Sequence, residues 1–214
     1  MSGRTRTGDL ERPASGADGN ERLTAIAGAA VFALLAVEGV TIVFLHPLLQ
    51  VHFFVGMLLV GPVMLKVGST GYRFVRYYTG APTYRRKGPP SPILRLLGPV
   101  VVASSLAVIG SGVALAFMTP AHGLMVEAHK ASFVIWFGAM TIHVLAYIWR
   151  VPGLVVSDMG PARGRHARFA AVARSPAGRA ARWALLAGAL AAGLVIAAAT
   201  VHLATPWAAV AGHG

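Results

Sequence analysis

Apolar residues in this chain neither alternate nor keep to one helical stripe; they fill five long blocks separated by short polar stretches rich in Pro and Gly. A block of about 20 apolar residues is the length of helix that crosses the hydrocarbon of a bilayer. In that solvent only structures that satisfy their own backbone hydrogen bonds survive, so each block reads as a helix. The pattern predicts helices over about 22–45, 48–78, 93–118, 126–150 and 181–204. His46-Pro47 breaks the first from the second, because proline lacks the N–H and restricts the residue before it. Thr79-Gly80-Ala81-Pro82, Thr119-Pro120-Ala121-His122-Gly123 and the Arg-, Gly- and Pro-rich stretch 151–179 separate the rest. The expected fold class is an all-α, polytopic membrane bundle of five transmembrane helices with a four-helix core. No internal repeat stands out, and the spans are too few for an inverted-repeat transporter plan.

Composition sharpens this picture. Of the 214 residues, 56% are hydrophobic and 12% charged, against roughly 25% charged in a soluble domain. Nearly the whole chain is committed to the five blocks, so a single membrane domain, 22–204, is expected. Residues 1–21 read as a disordered cytoplasmic tail and 205–214 as a short outer tail. The long polar start argues against a cleaved signal peptide. The net charge of +12 is placed in the N-terminal tail and in the second and fourth connections. Lys and Arg on alternate connections follow the positive-inside pattern rather than that of a nucleic-acid binder. They orient the N-terminus to the cytoplasm and the C-terminus outside a plasma (inner) membrane, with attraction to anionic lipid. The chain has no cysteine, which removes thiolate metal sites and covalent haem attachment through cysteine.

Ionisable side chains inside a membrane are costly and each needs a partner or a task. Glu38, His52, Lys66, His129, Lys130 and His143 fall within the blocks; Glu127 sits at the outer boundary. His52 on the second helix and His129 on the fourth both lie about 5–6 Å below the outer boundary. In a sequential four-helix arrangement these two helices are diagonal, so the rings can face each other across the interior. Opposed imidazoles are what a b-type haem requires, and bundles build cofactor sites from facing helices. Gly56, Gly61, Gly110, Gly112 and Gly138 would admit a flat macrocycle, and Lys130 would meet a propionate. The plainer readings are packed or interfacial histidines and close helix packing at the glycines.

His143 follows His129 by 14 residues, as Lys66 follows His52, about 21 Å deeper. That level offers a histidine facing a lysine. It reads either as a second, inner haem with a deprotonated lysine ligand, or as a snorkelling lysine and an interhelical hydrogen bond. Glu38 reads as a proton relay or quinol contact, or as a neutral interhelical hydrogen bond. His46 and His122 form an alternative ligand set, less well fixed because they lie in turns; His202 is also outer, and His166 and His213 face solvent.

The segments His52-Phe53-Phe54-Val55-Gly56, KVGSTGYRFVRYY from Lys66 to Tyr78, YRRKGPP at 84–90, and His129-Lys130 with His143 resemble bacterial cytochrome b561 / cytochrome b type membrane proteins, particularly small actinobacterial members. The resemblance covers roughly 22–150. Members of that group carry paired histidines about four turns apart on each of two helices; here one helix keeps the pair and the other has His52 and Lys66. What the resemblance implies is electron transfer through a membrane haem, between quinone or quinol and a redox partner protein. The chain would then serve as the cytochrome b subunit of an oxidoreductase, if it acts in an enzyme at all. Two rivals stand beside it: a haem-free accessory or assembly subunit, and a small transporter with Glu38 and Lys66 on a polar path. Gly188, Ala192 and Gly193 of the fifth helix would serve either internal packing or a homodimer contact.

Overall fold

A computed structural model describes residues 16–85, 92–118, 120, 123–149, 151–159 and 176–211. The described residues are helical with short connections and contain no strand: α1 (Gly16–Val43), α2 (Leu45–Tyr78), α3 (Pro82–Arg85), α4 (Pro92–Ala116), α5 (Gly123–Tyr147), α6 (Val151–Met159), α7 (Pro176–Thr200), a 3-10 turn (Val201–Ala204) and α8 (Thr205–Ala211). Five helices are long and apolar enough to cross a membrane: Gly16–Val43, Leu45–Tyr78, Arg95–Ala116, Gly123–Tyr147 and Gly178–Val210. The expected tail thus begins its first helix at Gly16, and the expected outer tail contains α8. Val151–Met159, read from sequence as loop, is a short helix packed on α1. The rest of the N-terminal tail (1–15), the basic loop 86–91, Thr119, Ala121-His122, Arg150, the arginine-rich 160–175 with His166, and 212–214 with His213 lie outside the described residues.

The first hairpin shows how the chain reverses with almost no loop. The break falls at Phe44 (φ −115, ψ 46) and Leu48 (φ −111, ψ 16), on either side of the expected His46-Pro47. Pro47 itself occupies the first turn of α2, where a missing N–H costs nothing. Backbone bonds from Phe44 N–H to the Val40 carbonyl (3.2 Å) and Leu48 N–H to the Phe44 carbonyl (3.1 Å) carry the turn.

The centre of the molecule is α2. Val31 of α1 and Val55, Leu59 and Val63 of α2 form a buried cluster, joined by Phe54 and by Ile109 of α4. A second cluster unites Met57 of α2, Ala116 of α4 and Ala197 of α7. The tightest crossing is between α2 and α7. A side chain at Gly61 would collide with the Ala189 carbonyl oxygen, and one at Gly193 with that of Leu58. Pro62, fully buried, explains part of this. It cannot donate back to Leu58, so that carbonyl is left exposed on the helix surface where Gly193 sits. The fifth span is therefore an integral partner of α2 rather than an addition to a four-helix core. The fourth span, α5, is the peripheral one: it packs chiefly against α4 and only sparsely against α2. All five spans present large apolar side chains outward, among them Phe32, Phe74, Leu96, Val134 and Val195. Such a surface belongs in contact with lipid tails.

Candidate functional site

His52, four residues after Leu48, projects from α2 toward the C-terminal part of α1. Its Nδ1 lies 3.0 Å from Glu38 Oε1 and 3.0 Å from Thr41 Oγ1, both on α1. The Thr41 hydroxyl has one proton, and its acceptors are the Glu38 backbone carbonyl (2.7 Å) and Glu38 Oε2 (3.2 Å). Thr41 Oγ1 is thus left to accept from the ring. The proton assignment that satisfies every group places a hydrogen on His52 Nδ1. Glu38 and Thr41 are buried, and His52 is partly so.

His129 is built in the same way from other materials. Its Nδ1 lies 2.9 Å from Ser111 Oγ on α4. With its one proton given to the Val108 carbonyl (3.1 Å), the Ser111 oxygen is open to accept from Nδ1–H of the ring. Ser132 donates to the His129 carbonyl (2.8 Å) and its hydroxyl stands 3.3 Å from that of Ser111. Gly112 supplies the space: a Cβ there would meet His129 Cε1 at 3.1 Å. No hydrogen bond to His52 Nε2 is seen among the described residues, whereas the His129 ring has Val108 as a backbone hydrogen-bonding partner besides Ser111. The two rings, on α2 and α5, are near enough to interact electrostatically.

The deeper pair is arranged differently. Lys66 and His143 also interact electrostatically. The Lys66 amine, however, donates to the Thr24 carbonyl of α1 at 3.1 Å. Gly28 makes the room, since a Cβ there would lie 2.8 Å from Nζ. Thr24 donates to the Ser69 hydroxyl (3.0 Å), and Asn20 to the Ser69 carbonyl (3.0 Å). Lys66 therefore belongs to a polar seam between α1 and α2. His143 stacks on Tyr147 one turn below it, with centroids 4.9 Å apart.

Other residues singled out by sequence take simpler positions. Lys130 pairs with Glu127 at 2.9 Å on an exposed surface, so a propionate would compete with that carboxylate. Gly56 faces Glu38 Oε1, which a Cβ would meet at 3.4 Å; it houses the carboxylate. Nothing lies within 4 Å of a Cβ at Gly110, Gly138 or Gly188. His46 lines the surface pocket at the α1–α2 turn with Ile42 to Pro47. Thr41, Ser111 and Ser132 escaped sequence reasoning, because hydroxyls in membrane helices usually bond their own backbone and carry no periodic signal.

Among the described residues no three of His, Cys, Asp and Glu gather in one cluster. A low-spin haem asks for something else: two imidazoles with free Nε2 atoms on opposite sides of a flat space. His52 and His129 are the two imidazoles available for it, one on α2 and one on α5, two helices that share no tight seam among the described residues. The fold is that of an all-helical membrane protein with several spans, and it holds two partly buried histidines, one on α2 and one on α5. No protein-family model, curated protein or solved structure matches the chain.

Proposed function

We propose that this protein is a membrane electron carrier that holds one b-type haem between His52 and His129. The observation that carries this reading is the matched anchoring of the two rings. Each is held through Nδ1 by a side chain on a neighbouring helix: His52 by Glu38 and Thr41, His129 by Ser111. Metal-ligating histidines do commonly bond through their other nitrogen, which fixes tautomer and ring orientation.

When bound, the haem supplies a one-electron ferric/ferrous couple. The chain does the rest. His52 and His129 would be the residues that hold the haem, and a pair of imidazole ligands would favour electron relay over oxygen chemistry. Glu38–Thr41 and Ser111 hold the rings against rotation. The apolar shell from α1, α2 and α4 excludes water. At the inner level the Lys66 amine is engaged by α1, which favours a single outer haem over two. Quinol in the membrane would be the electron source, and an outer-side redox protein the acceptor. With the basic connections in the cytoplasm of a plasma membrane, the N-terminus lies inside and the C-terminus outside.

The test is an absorbance spectrum with a pyridine haemochrome assay on protein purified from haem-replete cells. A sharp reduced α and Soret pair, one haem per chain, and loss of both bands in His52→Ala and in His129→Ala are expected. A colourless wild-type protein would overturn the proposal and leave the histidines as interhelical ties of an accessory subunit.

A further inference from the structure

Resting on that reading, we infer that Glu38 is a positioning residue that sets the electron affinity of the haem through His52, so that the two axial ligands are unequal by construction. His52 donates its Nδ1–H to a buried carboxylate, at 3.0 Å. His129 donates its own to a neutral hydroxyl, at 2.9 Å. A carboxylate is a far stronger acceptor than a serine oxygen, more so in a site shielded from water. It draws the Nδ1 proton and pushes electron density toward Nε2, which makes His52 the stronger donor to iron. A stronger donor favours the ferric state, so Glu38 lowers the midpoint potential.

Three features fix Glu38 in that role. The Thr41 hydroxyl holds Oε2 at 3.2 Å, which orients the carboxylate plane. Gly56 of α2 lies across from Oε1 at a would-be Cβ distance of 3.4 Å, so a large side chain there would dislodge it. Burial of Glu38, with a side chain 11% exposed, keeps water from competing for the acceptor oxygens. Of the charged and titratable groups around it, His52 is in contact, and His129 interacts electrostatically with that ring.

Potentiometric titration of the purified holoprotein in detergent tests this on Glu38→Gln, Glu38→Asp and Ser111→Ala. The expected result is retained haem with a midpoint shifted to more positive potential in E38Q, a smaller shift the same way in E38D, and the smallest change in S111A. A haem-loaded E38Q with the wild-type midpoint overturns the inference and leaves the haem reading standing. An S111A shift as large as that of E38Q does the same. Should E38Q not assemble, an unchanged midpoint in E38D overturns it. A wild type without haem removes the haem reading itself, and the inference with it.

Discussion

Each residue of the site is fixed by what its neighbour can donate or accept. Thr41 and Ser111 each have a single hydroxyl proton, already given to a backbone carbonyl or to Glu38, and this alone decides which ring nitrogen of each histidine carries hydrogen. Gly112 illustrates the tolerance involved. With His129 Cε1 only 3.1 Å from a would-be Cβ, Gly112→Ala requires the ring to yield by a few tenths of an ångström. Gly112→Val requires a larger displacement. Haem occupancy by haemochrome is expected to fall modestly in the alanine variant and by most of its value in the valine variant. Lys66 supplies the contrast. Because its amine is committed to Thr24 on α1, Lys66→Met should leave one haem per chain with unchanged bands. Loss of half of a two-haem content would instead restore an inner site.

Among elements, small residues outweigh polar links. Trp136 donates to Ser105 at 3.0 Å and ties α4 to α5, but an interhelical hydrogen bond in a membrane is worth only about 0.6 kcal/mol on average. At the α2–α7 crossing, by contrast, backbone meets backbone: Gly61 against Ala189 and Gly193 against Leu58. A leucine at either glycine has no flexible neighbour to displace. Overpacking of this kind costs about 1–3 kcal/mol or more. Gly61→Leu and Gly193→Leu should therefore lower the thermal midpoint in detergent clearly, whereas Gly188→Leu, which has open space around it, should not. The measurement also tests whether α7 is an internal partner, since a helix used only for dimer contacts would let the monomer keep its stability.

For the whole molecule the deciding features are five crossings and the uneven distribution of charge. The cysteine-free sequence makes the orientation directly measurable. Phe44→Cys, exposed at the α1–α2 turn, should react with a membrane-impermeant maleimide added to intact cells. Arg85→Cys, exposed at the end of α3, should react only after the membrane is opened. The reverse pattern would invert the proposed topology and place the histidine pair near the cytoplasmic face.

Hydropathy by itself determined the number and approximate limits of the spans, because a bilayer demands the same apolar length from every crossing helix. It also gave the expectation that His52 and His129 share a depth, since rise per residue is constant in a helix. Tertiary packing alone decided which helices touch. The apolar surfaces of all five are nearly interchangeable to a hydropathy pattern, and the pairing of α2 with α7 turns on two glycines and a carbonyl bared by Pro62. Packing likewise assigned Gly56 to the Glu38 carboxylate, turned Lys66 toward α1, and supplied Thr41 and Ser111 as ring anchors. Those choices depend on a few ångströms between side chains on different helices, a distance that no spacing along one chain encodes.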